Sequence, residues 1–216
     1  MEAELEKVLI NCKTELQKNA LFLAYLSREI EASDPGKDLT IVGGSAVEFY
    51  TQGDYSTKDI DVLAPKETLF KVLKRWGFIP LPDKRTWYFP KLDIRVEWVG
   101  RGMVNDDIIA HKRRELVSLK KGLKISIISR EDIIIDRLVC MKWQNRTDDF
   151  NWAVLVFTVS NWDEKPIDIK YLLQRAKEKQ FDVEDVVKKM ITTAREFQNK
   201  KRKNENIEDI NDEYRL

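Results

Sequence analysis

Residues 39–64 read LTIVGGSAVEFYTQGDYSTKDIDVLA, and this stretch decides the fold. Its apolar start predicts a strand over 39–42, followed by a tight turn at Gly43-Gly44-Ser45 and a short helix. A second strand is expected where Asp59 and Asp61 alternate with Ile60 and Val62. Side chains alternate across a strand, so the two carboxylates face one way while Ile60 and Val62 enter a core. Carboxylates roughly 6–7 Å apart on one strand face repel unless something positive sits between them. A divalent cation meets that need, because hard ions such as Mg2+ take oxygen ligands and keep positions open for substrate phosphates.

The turn supplies a complementary element. Gly43 and Gly44 carry no Cβ, so the backbone there can bend sharply and approach a ligand closely. Ser45-Ala-Val-Glu48 reads as a capping box opening the helix. A helix N-terminus offers free N–H groups and the positive end of a dipole to an anion. An anion cradle beside a carboxylate pair is chemistry suited to a nucleoside triphosphate with Mg2+.

Gly44-Ser45, a short helix and then Thr57-Lys58-Asp59-Ile60-Asp61-Val62 resembles the signature of the polymerase-beta-type nucleotidyltransferase superfamily, in which a Gly-Ser pair precedes an Asp-x-Asp strand. The likeness is closest to the small members that include abortive-infection and toxin-type nucleotidyltransferases. The resemblance implies two Mg2+ ions held by Asp59 and Asp61, an NTP bound at Gly43, Gly44, Ser45 and Lys58, and a third carboxylate on a later strand. Residues 92–99, LDIRVEWV, supply that strand, with Leu92, Ile94, Val96 and Trp98 on one face and Asp93, Arg95 and Glu97 on the other. Alternation leaves Glu97 and Asp93 both open. Glu97 is expected ahead of Asp93, with Asp93 as the alternative, because its interval to Glu131 matches the family better and Val96 and Trp98 flank it. A second block, a strand over 123–128, the helix start Ser129-Arg130-Glu131-Asp132, then Arg146 and Asp148-Asp149, also resembles these enzymes. From the residues alone, it reads equally as two core helices with a salt-bridged bend.

Composition narrows the alternatives. A formal net charge of +1 argues against a broad nucleic-acid-coating surface and leaves only local basic patches, at 111–114 with Lys120 and at 200–203. His111 is the only histidine, which excludes a zinc cluster built on several of them and makes a Ser-His-Asp triad a poor reading. Cys12 and Cys140 form no CxxC pattern and suit a reducing compartment. The acidic start with its short amphipathic stretch does not read as a signal peptide, and no apolar run approaches the ~20 residues of a membrane span, so a cytoplasmic location is expected.

The expected architecture is α/β: a nucleotidyltransferase-like mixed, twisted sheet with packed helices and a C-terminal helical extension. The expected organisation is an N-terminal helical segment over 1–35, a core over 36–160, and C-terminal helices with a charged tail over 161–216. Residues 2–32 read as one long amphipathic helix or two joined near Asn19, 105–119 as a helix with a basic far end, and 183–198 as a helix before a mobile polar tail. The expected activity is Mg2+-dependent transfer of a nucleoside monophosphate from an NTP to an acceptor hydroxyl on tRNA or other RNA, a protein or a small molecule. The alternative is a non-catalytic nucleotide-binding or toxin–antitoxin partner module with the same fold.

Overall fold

The computed structural model describes residues 3–100, 108–160 and 166–213 and divides into two compact units, 1–129 and 130–216. The first is a mixed α/β unit built on a seven-stranded sheet; the second is helical.

Unit 1 opens with α1 (Ala3–Ile10) and α2 (Glu15–Ser33). The break falls at 11–14 and not near Asn19, because the Thr14 hydroxyl accepts the Gln17 N–H at 3.1 Å and starts α2 afresh. Then come β1 (Thr40–Ile41), α3 (Gly43–Tyr50), β2 (Ile60–Leu63), α4 (Lys66–Arg75), β3 (Ile79–Pro80), β4 (Thr86–Phe89), β5 (Ile94–Gly100), α5 (Ile108–Arg113), β6 (Glu115–Ser118) and β7 (Lys124–Ile127). The strand order is β3-β4-β5-β2-β1-β7-β6. Short β1 sits near the middle, antiparallel to β2 and parallel to β7, and β2 runs parallel to β5.

Register sorts the side chains into two faces. Ile41, Val62, Ile60, Val96, Ile94, Trp87, Phe89, Ile125 and Ile127 share the apolar face through their pairings. Helices α2 and α4 pack together, and their aromatic residues extend that core. Phe22 of α2 lies 5.6 Å from Phe78, and Phe70 of α4 lies 5.2 Å from Trp87. Asp61, Glu97, Arg95, Thr86 and Tyr88 share the opposite, polar face.

One expectation fails here. The helix expected over 105–119 is α5 followed by strand β6, with 105–107 outside the described residues. Glu115–Ser118 pairs antiparallel with β7, and Leu119 N–H closes the hairpin on Leu123 C=O at 2.8 Å. A free sheet edge at β7 offered more backbone hydrogen bonds than a further helical turn. The basic run changes accordingly: Arg114 is drawn to Asp38 and to the Thr40 hydroxyl at 3.1 Å, anchoring β1.

Unit 2 holds α6 (Arg130–Gln144), α7 (Asp148–Ser160), α8 (Ile169–Ala176) and α9 (Glu184–Glu213). Helix α7 packs on α6 and α9, and α8 on α6 and α9. Helix α9 continues to Glu213 and does not end near Gln198. Its polar sequence past Gln198 keeps good helix formers and no proline, so nothing local stops it.

Candidate active site

The site forms where the chain leaves the sheet. Val42 N–H donates to Asp61 C=O at 3.1 Å, as an antiparallel ladder requires. The reciprocal bond does not form, because Val42 C=O has turned to accept Ala46 N–H at 3.1 Å and begin α3. The Ser45 hydroxyl accepts Asp61 N–H at 2.9 Å and donates in turn to Asp59 C=O at 3.1 Å.

Helix α3 is completed by the same strand. Its N-cap is Val42, which has no side chain able to cap, so the expected capping box on Ser45 does not form; Ser45 lies inside the first turn. The Asp61 carboxylate caps instead, its Oδ2 accepting Gly44 N–H at 2.8 Å. Gly43 makes room for it. Its φ is +57°, and a Cβ there would lie 2.4 Å from Asp61 Oδ2. At Gly44 a Cβ would come within 3.0 Å of the Tyr55 hydroxyl and 3.1 Å of Thr57 Oγ1.

Asp61 lies within β2, whereas Asp59 occupies the bend just before it, beside exposed Lys58. The expected strand is therefore shorter at its start: with Ser45 pairing Asp61 N–H, no neighbouring strand reaches Asp59. Glu97 is the register partner of Asp61 on parallel β5, so the two carboxylates project from adjacent positions on the polar face. Arg85 Nη2 lies 3.4 Å from Glu97 Oε1. Asp93 is elsewhere: it sits in the turn before β5 with φ +50°, four residues from Glu97, about 13 Å at strand rise. There it hydrogen-bonds Tyr88, which raises the phenol's pKa.

The donors suit a hard cation, since Mg2+ is usually held by one or two carboxylates and completes its shell with water and phosphate. Among the described residues, however, no three His, Cys, Asp or Glu side chains gather closely enough to form a full cage. Asp61 and Glu97 stand at paired positions on β2 and β5, two carboxylates on one face that could serve as such a partial set, while Asp59 lies in the bend before β2.

Beneath the turn, Glu48 is buried, and burial pushes its carboxyl above the usual range although Thr57 N–H donates to it. It lines a cavity of about 20 Å³ with Asn19, Ser45 and Phe49, space for roughly one water. Sequence reading gave Thr57 only as part of the motif, with no role at the site, and missed Tyr55 and Arg85. Thr57 stands two residues before Asp59 and was visible as a polar neighbour, but Arg85 is brought in only by the register of β4 on β5.

The strand of the second block is β7 of unit 1, and its helical residues lie in unit 2. Asp149 is buried between Arg137 Nη1 at 3.3 Å and Arg146 Nε at 3.1 Å. Burial works against the Arg137 charge, yet Asp136 and then Asp149 hold its pKa above the ordinary value. Asp132 accepts from the Tyr171 hydroxyl at 2.9 Å and Arg175 Nε at 3.3 Å, and Glu131 accepts Asp168 N–H at 2.8 Å. This is the salt-bridged helical bend that the residues alone allowed.

No protein-family model matches the chain, and no curated protein matches it. Among solved structures it is similar to an antigenic nucleotidyltransferase-like protein from Paracoccidioides brasiliensis, at 13% identity over 77% of this chain and 90% of that one, with a TM-score of 0.48. It is also similar to the antibiotic-resistance factor ANT(2'')-Ia, at 16% identity over 83% and 98% of the two chains, with a TM-score of 0.39. Both likenesses are distant, so function is read from the site's own geometry.

Proposed function

We propose that the chain is a Mg2+-dependent nucleotidyltransferase that moves a nucleoside monophosphate from an NTP to an acceptor hydroxyl. The observation that carries this reading is the register pairing of Asp61 with Glu97 directly beside the N-terminus of α3. Asp61 and Glu97, with Asp59, would hold the cation, which supplies charge neutralisation at the phosphates and a lowered pKa at the attacking hydroxyl. The N–H groups of Gly44 and Ser45 belong to the first turn of α3, where backbone donors lack helical partners, and they face the β- and γ-phosphates in this reading. The Gly44 N–H is held by Asp61 Oδ2 and in this reading reaches a phosphate only by sharing that bond. Exposed Lys58 adds positive charge beside it.

In the reaction the acceptor oxygen bonds to the α-phosphorus, the bond to the α,β-bridging oxygen breaks, and pyrophosphate leaves. Glu97, part-exposed on the polar face, takes the hydroxyl proton. Positioning and charge complementarity provide the catalysis, so His111 is not required. The acceptor is an RNA such as tRNA, a protein or a small alcohol. Among the described residues no helix is long and apolar enough to cross a membrane.

The test is incubation with labelled NTPs and Mg2+, with and without total tRNA, followed by separation of RNA, protein and small-molecule products. Label in any acceptor fraction supports transfer. Two observations favour the alternative of a non-catalytic nucleotide-binding or toxin–antitoxin partner module: Arg85 engages Glu97, and no three-ligand cage is present among the described residues. NTP binding without label transfer would select that reading.

A further inference from the structure

The Ser45 hydroxyl stands at the centre of the candidate site, yet its bonds are already committed. It is buried, accepts Asp61 N–H at 2.9 Å and donates its one proton to Asp59 C=O at 3.1 Å. A serine hydroxyl has a single donor, so an oxygen anchored this way has no proton left for a phosphate. Its two partners are also specific. They are the backbone groups on either side of Ile60, on the two aspartates whose carboxylates serve the proposed metal site.

In an extended chain the C=O of one residue and the N–H of the second residue after it point the same way, toward a neighbouring strand. Here β1 has ended at Ile41, the carbonyl of the next residue, Val42, has gone to α3, and among the described residues no strand pairs with the segment at that slot. Ser45 fills it from within the helix. One side chain thus fixes the direction of the segment from Asp59 to Asp61 and ties it to the α3 N-terminus. Asp61 returns the tie through Gly44.

We propose that Ser45 is a positioning residue whose hydroxyl acts through Asp59 and Asp61 on cation binding, while its backbone N–H alone faces the phosphates. This rests on the metal-site reading above. Partners that orient metal-binding carboxylates have a recognisable signature: their loss weakens metal binding about 10–100-fold without removing a ligand.

The test uses the full chain and two probes. Mn2+ binding is followed by electron paramagnetic resonance, and inorganic tripolyphosphate binding by calorimetry in EDTA. Ser45→Ala is expected to weaken Mn2+ binding at least about tenfold and to leave tripolyphosphate binding unchanged, since the backbone N–H survives. Ser45→Thr keeps the hydroxyl and is expected to restore Mn2+ affinity; circular dichroism confirms that both variants fold. Unchanged Mn2+ affinity in Ser45→Ala, or a loss of tripolyphosphate with Mn2+ retained, overturns the positioning role and leaves the metal site standing. Failure of the unsubstituted chain to bind Mn2+ at all overturns the metal-site reading and this inference with it.

Discussion

Ser45 and Asp61 each complete the other's backbone: the serine hydroxyl accepts the Asp61 N–H at 2.9 Å, and the aspartate carboxylate brings Gly44 N–H, next to Ser45, to 2.8 Å. A helix end and a strand end that would otherwise carry orphan donors are closed by side chains exchanged between them.

Asp61 therefore has two roles that substitution can separate. Asp61→Asn keeps an oxygen for Gly44 N–H and is expected to fold normally while abolishing Mg2+-dependent transfer. Asp61→Ala loses the cap as well, at a cost of about 1 kcal/mol in unfolding free energy. Label transfer and urea unfolding measure the two effects, and full activity in Asp61→Asn would sink the assignment.

The turn glycines should differ in what they tolerate. Gly43→Ala places a methyl against the Asp61 carboxylate at a φ of +57°, and a loss of roughly 1–3 kcal/mol is expected on urea unfolding. Gly44→Ala meets the Tyr55 hydroxyl at 3.0 Å and Thr57 Oγ1 and Cβ at 3.1 and 3.3 Å, contacts that need only a small adjustment at a φ open to any residue, and a smaller loss is expected. Equal losses would mean that the Asp61 contact does not govern Gly43.

Glu97 and Asp93 are distinguished by register. Glu97→Gln is expected to lower turnover by about 10²–10⁴-fold, the range for a proton-transfer group, with little change in NTP affinity. Asp93→Asn, in its turn by Tyr88, should leave both quantities unchanged. Steady-state kinetics on the two variants decides; the opposite ranking would move the role to Asp93.

The Glu48 carboxyl sits above its ordinary value of 4.5 because burial disfavours its charge. The folded state then binds the proton more tightly than the unfolded state. Its contribution is present below the unfolded value and is lost as pH rises through the raised one. Glu48→Gln keeps an acceptor for Thr57 N–H and is expected to flatten this fall in stability between mildly acidic and neutral pH. Unfolding titrations across that window check it.

Asp149 should matter for folding and not for chemistry. It is buried against Arg137 and Arg146, and Asp149→Ala removes one carboxylate partner of buried Arg137 while Asp136 remains, a loss of about 1–3 kcal/mol. A stable Asp149→Ala chain that has lost only activity would instead return the second block to the active site.

Much of this was legible in the residues. LDIRVEWV announced β5 and its polar face, and the glycine pair announced a turn against an acidic strand. The capping role was misplaced by three residues, because local spacing cannot show that Val42 C=O turns into the helix and starts it earlier. The β6 strand was hidden in a helical spacing that only an open edge at β7 overrides. Glu97 over Asp93 was favoured by chain position, but its pairing with Asp61 depends on β2 and β5 being neighbours, a fact of topology and not of spacing.

The placement of β1 also bears on synthesis from the ribosome. Thr40 and Ile41 emerge early, yet their parallel partners Ser126 and Ile127 are made only at the end of unit 1. Until then a nascent chain carries an unpaired apolar edge in what becomes the middle of its sheet, the kind of edge that templates pairing with other chains. Premature termination before β7 would therefore yield an aggregating fragment rather than a smaller folded unit, even though Asp59, Asp61 and Glu97 are all already present.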